Sequence, residues 1–385
     1  MIGGRRWTGG YNYLLNLVRA IDSHAAHRLT PILFVGHDVS EEEVAPFRDV
    51  RAVEVVRSAI FDAERSGRRS AQAVLFGIDY AAAGRFREHT ADVVFEPGMF
   101  YGWRFPIPAI AWLSDFQHRR LPELFGVKSY WRRELGYRAQ VSSGRFVMLS
   151  SQNAREDCER FYPSSIGRTA VVRFAVPADP AALKVDPGEV AREYELPEQF
   201  FYLPNQFWNH KNHRIVIEAL HILRRQGHDI VVAASGAPGD PRHPEHYEAL
   251  KSLVVSRGLR HNFRFVGMVP RQHVVALMRA CTALINPSLF EGWSTTVEEA
   301  KTLGVPMLLS NLRVHREQVG GSAQFFAPDS VEQLAALMAA YRKLSASSRQ
   351  DLEKSAIQAS EHRVQQFALD FSEMVERVAT SSRKC

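Results

Sequence analysis

Short β-branched or aromatic runs alternate with stretches of helical apolar spacing along nearly the whole chain. The first half carries PILFVG (31–36), VRAVEVV (50–56), ADVVFEP (91–97), IPAIAWLS (107–114), FVMLSS (146–151) and TAVVRFAV (169–176). The second carries FYLP (201–204), DIVVAAS (229–235), FRFVG (263–267), ALINPS (283–288), PMLLSN (306–311) and AQFFAP (323–328). Strands separated by helices are the pattern of βαβ units and parallel sheets. Between the halves, residues 177–199 hold four prolines, a glycine and many charges, and their apolar residues keep no sustained period, so they read as an interdomain linker. Two doubly wound α/β domains result, and such sheets bind ligands beyond the carboxyl ends of their strands, in a cleft when two of them face each other. No internal repeat supports a solenoid or a propeller.

A length of 385 residues also favours two domains. With 45% hydrophobic and 23% charged residues, the chain belongs with ordinary folded proteins. Cys158, Cys281 and Cys385 are isolated in sequence and have no metal-ligand spacing, which argues for a reducing, cytoplasmic setting. No apolar stretch is long enough to span a membrane, and MIGGRRWTGG lacks the apolar core of a signal peptide. The net charge of +6 is modest. Arg119, Arg120, Lys128, Arg132, Arg133, Arg138 and Arg145 nevertheless crowd one region. No nucleic-acid-binding signature accompanies them, so nucleic acid is not an expected partner; an anionic membrane surface suits a basic helical face better, and a solvated helix surface is the plain alternative.

The strongest chemical signal is NPSLFEGWSTTVEEAKTLGVPMLLSN, residues 286–311. A strand ends near Ser288, a loop carries Glu291, Gly292 and Trp293, and Ser294, Thr295 and Thr296 can cap a helix whose first N–H groups favour an anion such as a departing nucleoside diphosphate. Glu291 precedes that helix and Glu299 lies in its first two turns. As bidentate acceptors, one can hold sugar hydroxyls and the other ribose hydroxyls. Glu298 adjoins Glu299, and because neighbours do not share a helix face it is expected to point away and to tolerate Gln with little kinetic effect. In FYLPNQFWNHKNHRIVIEAL (201–220), Lys211 stands near a helix entrance, where a cation opposes the dipole and a bound anion would explain it. The strand at 107–114 runs into a loop with Asp115 and His118, and Gly9 and Gly10 precede a helix at the start, where paired glycines let backbone approach a phosphate or an acceptor.

EGWSTTVEEA resembles the E-x7-E segment of glycosyltransferase family 4, the group 1 glycosyltransferases, and the likeness extends to the preceding PS and the following GVP. The strand, loop and Lys-Asn pair at 201–212 are similar to the opening of that family's second domain, Asp115 and His118 to its sugar-contacting loop, Gly9-Gly10 to its glycine loop, and FRFVGMVP (263–270) to the segment where backbone meets the nucleotide base. Two positions depart from the pattern. Gln206 stands where an arginine is common five residues before the lysine, and Ser114 where a histidine is common before Asp115. A subgroup with Asn-Gln-Phe-Trp and Lys-Asn-His in this loop looks similar to this chain.

The resemblance implies a GT-B fold, α/β, with two Rossmann-like doubly wound domains facing a central cleft. Residues 1–178 would form the acceptor-side domain, with its first strand truncated, and 361–385 a helix completing it; 179–199 would be the linker and 200–360 the nucleotide-sugar-binding domain. It implies a retaining, metal-independent glycosyltransferase moving a sugar from a nucleotide-diphosphate-sugar to a glycan, lipid or other acceptor, as in cell-surface polysaccharide synthesis, from the cytoplasm or the inner face of a membrane. Glu291, His118 and Asp115 would be catalytic. Lys211, Asn205, Gln206, Gly267, Met268, Gly292, Trp293, Ser294, Thr295 and Glu299 would bind the donor, and Gly9 and Gly10 the acceptor or a phosphate. No cofactor or metal is expected. The rival reading is a catalytically silent sugar-nucleotide-binding protein, suggested by Gln206 and Ser114. A dinucleotide-dependent oxidoreductase is weaker, since no G-x-G-x-x-G follows an early strand.

Overall fold

The computed structural model describes residues 8–382. It divides into two compact units, Met1–His118 with Val127–Ala175 and His362–Cys385, and Arg119–Gly126 with Val176–Glu361. The strands of the first are β1 (Ile32–Val35), β2 (Glu54–Arg57), β3 (Val94–Glu96), β4 (Ala109–Trp112), β5 (Phe146–Leu149) and β6 (Thr169–Val171). Those of the second are β7 (Phe201–Pro204), β8 (Val232–Ser235), β9 (Phe263–Gly267), β10 (Ala283–Asn286), β11 (Met307–Ser310) and β12 (Gln324–Phe326). Each lies inside one of the runs read from sequence or overlaps it, and every ladder is parallel.

The second unit is a single sheet in the order β12-β11-β10-β7-β8-β9. Its central strands are buried along their length, as parallel strands covered on both faces must be. Alternation along β7 shows the two faces. Phe201 and Leu203 enter a core with Ile217, Leu220 and Leu223, whereas Tyr202 enters the opposite one with Leu277, Val297 and Leu309. The order reverses between β7 and β10, which defines the switch point where an open α/β sheet receives ligands.

Three expectations change. The segment read as a linker contains two capped helices, Pro180–Leu183 and Pro187–Glu193, whose Ala182, Val190 and Ala191 are buried in the second unit. Two of the four prolines that read as breakers, Pro180 and Pro187, occupy first-turn positions, where a missing N–H costs nothing, behind the capping carboxylates of Asp179 and Asp186. Gly9 and Gly10 do not form a loop; both lie in the first turn of the helix Thr8–His24. The last helix is longer than expected, Ala346–Ser382, and beyond Glu361 it belongs to the first unit, where Phe367 meets the ring of Tyr13.

In the first unit, the described strands make two sheets, β1-β2 and β3-β4-β5-β6. The segment in which a truncated first strand was expected, MIGGRRW, lies outside the described residues. Among the described residues no helix is long and apolar enough to cross a membrane.

Candidate functional site

Two loops leave the sheet of the second unit on either side of its switch point, one after β7 and one after β10. The first begins at Asn205, which is buried. Its Oδ1 accepts from Thr296 Oγ1 at 3.3 Å, and its Nδ2 has no hydrogen-bond partner among the described residues, an unspent donor at the strand end. Backbone crowds this point so closely that a Cβ on Gly236, at φ 150°, would lie 2.4 Å from the Asn205 carbonyl oxygen. Gly236 N–H in turn donates to Gly267 O at 2.9 Å, which joins the ends of β8 and β9. The loop then makes a 3-10 turn, Asn209–Lys211, and Asn212 takes a left-handed conformation, φ 54°, before the helix His213–Arg225. Asn is the non-glycine residue best suited to that geometry, and its side-chain amide donates to Pro328 O at 3.0 Å.

The second loop is ordered by hydroxyls and amides. Asn286 donates to Ser294 Oγ at 2.9 Å, and the Ser288 hydroxyl lies 2.7 Å from both Asn286 Oδ1 and Glu291 Oε1. Ser294 caps the helix Thr295–Thr302 through the Val297 N–H. Leu289 N–H donates to His210 O at 2.8 Å, which ties the two loops together by backbone. Across this tie, Lys211 Nζ sits 2.6 Å from Glu291 Oε1, with side chains 16% and 9% exposed. The Lys211 placement thus has a partner in the chain itself. An ammonium carries three donors, so two remain for a ligand anion.

Glu299 pairs with Arg271, a residue sequence reasoning did not single out. Glu298 does not point to solvent: it is 1% exposed, and Gln318 Nε2 donates to its Oε2 at 3.1 Å while also donating to Ser294 O at 2.8 Å. The two neighbours meet different elements, as adjacency on a helix requires, but the helix is packed over much of its circumference, with Val297, Glu298, Glu299, Ala300 and Thr302 all buried, so the face turned away from Glu299 is not a solvent face. His315 was also missed. It is buried, its Nδ1 lies 2.8 Å from Ser310 O, and its Nε2 has no partner among the described residues. Burial pulls its pKa below the usual histidine value against the opposing charge of Glu291. A neutral ring with the proton on Nδ1 satisfies the carbonyl. A lone histidine inside SNLRVHREQV gives no sequence signal of this.

The structure therefore gathers Asn205, Gln206, Lys211, Glu291, Gly292, Trp293, Ser294, Thr295 and Glu299 onto the two switch-point loops and the helix that follows. Gly267 closes β9 at φ 78°, and Met268 beyond it is exposed. Gly9, Gly10, Asp115 and His118 belong to the first unit. Asp115 follows β4 and is held by Arg133 at 2.7 Å and by the Gln117 N–H at 2.8 Å. Burial would raise its carboxyl pKa, but the guanidinium and the N–H outweigh it and the pKa lies below the usual range. His118 is turned inward, between the rings of Tyr130 and Tyr137, and 3.1 Å from Glu134, which also takes the Tyr162 hydroxyl. Burial lowers its pKa. It lies in a helical turn, Gln117–Arg120, in place of the open loop expected, and its side chain is buried.

The parallel sheet thus brings an ion pair and a capped helix to its switch point, the place where open α/β sheets receive ligands. The segment 191–359 matches the family model described as "Glycosyl transferases group 1". The serotype-specific mannosyltransferase WbdA of Escherichia coli is 27% identical over 222 residues, 54% of this chain and 26% of that protein. O-antigen chain mannosyltransferase B of Escherichia coli is 23% identical over 251 residues, 62% of this chain and 63% of that protein. The chain thus spans about a quarter of the length of the first relative and under two thirds of the second. The crystal structure of Anabaena Alr3699/HepE in complex with UDP and glucose superposes with a TM-score of 0.65 at 14% identity, over 94% of this chain and 95% of that one. At that identity the likeness establishes the fold, which is GT-B with two Rossmann-like units.

Proposed function

We propose that this protein is a retaining glycosyltransferase that moves a hexose from a nucleotide-diphosphate-sugar to a glycan or lipid-linked acceptor in cell-surface polysaccharide synthesis. The observation that carries the reading is the Lys211–Glu291 pair at the switch point, beside the first turn of the helix Thr295–Thr302. Lys211 and the free N–H groups of that turn would neutralise the diphosphate without a metal. Asn205 Nδ2 would supply one of the hydrogen bonds that Gln206, in the place of a cation, does not. Glu291 would position the transferred sugar, with Asp115 a further sugar contact, and Glu299 would take the ribose hydroxyls. In the step itself the C1–O bond to the diphosphate breaks, the acceptor oxygen bonds to C1 on the same face, and its proton passes to the departing phosphate oxygen. Such a path needs no enzymic nucleophile.

The two curated relatives are mannosyltransferases by name, so nucleotide-activated mannose is the first donor to test. UDP, GDP, ADP and dTDP should be compared for thermal stabilisation of the chain, since a ligand that prefers the folded state raises the melting temperature. One of the four is expected to stabilise, and its hexose conjugate to be consumed in the presence of EDTA and an acceptor, the new glycosidic linkage keeping the anomeric configuration of the donor. Stabilisation without any transfer or donor hydrolysis would favour a silent binding protein; stabilisation by none of the four would remove the reading.

We assign the helix Val127–Ser142 to contact with an anionic membrane surface. Its inward face carries Glu134 and Val141, while Val127, Trp131 and Leu135, spaced i, i+4, i+8 on the solvent side, are 78%, 49% and 59% exposed. Lys128 and Arg132 are exposed alongside them. An apolar stripe with a tryptophan, flanked by cations, fits the headgroup region of a bilayer. The chain should co-sediment with phosphatidylglycerol vesicles at low ionic strength and Trp131→Asp should abolish this; equal binding by the variant, or no binding by the parent, returns the helix to an ordinary solvated surface.

A further inference from the structure

We propose that Arg271 is a positioning residue for the donor nucleotide, acting through Glu299; this rests on the reading of Glu299 as the carboxylate that takes the ribose hydroxyls. Arg271 opens the helix Arg271–Ala280, directly after Pro270. Unspent N–H groups give that end of a helix partial positive charge, so a cation there is disfavoured by the helix itself and needs another reason. The reason present in the chain is Glu299, to whose Oε1 the guanidinium Nη1 donates. The contact spans two helices packed on the same sheet. It sets a cation that is 44% exposed over a carboxylate that is 9% exposed.

The pairing is one-pronged: among the described residues, Nη1 to Oε1 is the hydrogen bond that joins the two side chains. A carboxylate offers about four lone-pair positions, so Oε2 is left to accept from hydroxyls while Oε1 stays anchored. The anchor matters because Glu has three rotatable side-chain bonds, and a hydrogen bond to a ligand is strengthened when the acceptor is already oriented. Arg271 thus fixes the rotamer of Glu299 and balances its charge inside the unit, and the nucleotide meets a prepared acceptor. A guanidinium that merely covered the carboxylate would have to be displaced by the ribose, and its removal would tighten binding. The two arrangements predict opposite signs.

The test compares the parent chain with Arg271→Gln, Arg271→Lys, Glu299→Gln and the Arg271→Gln/Glu299→Gln double variant. Binding of UDP and of GDP is measured by calorimetry, donor KM and kcat by turnover, and folding by melting temperature. Arg271→Gln is expected to raise the dissociation constant and the donor KM about tenfold, the scale of one hydrogen bond to a charged group, with kcat nearly unchanged. Arg271→Lys should recover part of the loss. On the Glu299→Gln background, Arg271→Gln should add little, because its effect passes through the carboxylate. Tighter binding by Arg271→Gln, unchanged binding, or a full additional loss in the double variant each overturns the proposal. A parent chain that binds neither nucleotide sinks the functional reading and this inference with it, whereas a parent that binds with Glu299→Gln unimpaired sinks the ribose assignment and this inference while nucleotide binding stands.

Discussion

Lys211→Ala is expected to weaken nucleoside diphosphate binding by ~1.5–3 kcal/mol, the range for a charge-assisted hydrogen bond, and Glu291→Gln is expected to act mainly on kcat. The two differ because their proposed partners differ. The diphosphate is charged before and after the reaction, so losing Lys211 weakens ground and transition states together. The transferred sugar changes charge and shape as its bond to phosphate breaks, so contacts from Glu291 can strengthen in the transition state, and a loss of ~1.4 kcal/mol there is a tenfold fall in rate. The 2.6 Å pairing of these residues adds a coupling that either variant exposes. In Lys211→Ala, a carboxylate that is 9% exposed loses its cation, so the melting temperature should fall as well. In the Lys211→Ala/Glu291→Gln double variant that charge is gone, and much of the stability loss should be recovered while binding stays weak. Calorimetry that finds affinity unchanged in Lys211→Ala removes the diphosphate assignment, and a normal kcat in Glu291→Gln removes the sugar-positioning role.

The strands were legible because each is a short apolar run between polar boundaries, and a parallel sheet covered on both faces needs such runs. The two loops were legible for a related reason: strand-end residues followed by a capping Ser-Thr-Thr or by Asn-His-Lys-Asn announce where a helix begins. What escaped were features decided by distant partners. Arg271 and Glu299 are 28 positions apart, and only the packing of two helices on one sheet brings them together. Glu298 was placed by a one-faced view of its helix, which cannot register the amide of Gln318 arriving from another element. The same holds for His118, whose neighbour Glu134 lies on the following helix. Prolines in 177–199 misled in the other direction, because a first-turn proline and a breaking proline look alike until the caps Asp179 and Asp186 are seen at work.

Glu298→Gln and Glu299→Gln should separate stability from donor recognition, although they are neighbours and both buried. Gln318 donates to the Glu298 carboxylate and also engages both the N–H and the C=O of Ser294, so the Glu298 side chain helps to hold the residue that caps the helix. A glutamine at 298 can keep one acceptor toward Gln318, but its amide nitrogen puts donors where the carboxylate offered only acceptors. The expected cost is ~1–3 kcal/mol of stability, the range for a buried polar group left poorly paired, with donor KM little changed in the molecules that fold. Glu299 faces a different partner, a guanidinium that is 44% exposed and can turn to water when its carboxylate is neutralised. Glu299→Gln should therefore cost less stability and instead raise donor KM, with kcat close to the parent value, because ribose contacts are made equally in ground and transition states. Melting temperature, donor KM and kcat measured on both variants decide the matter. A rise in KM for Glu298→Gln equal to that for Glu299→Gln, with no loss of melting temperature, would move the ribose to the other carboxylate and with it the role assigned to Arg271.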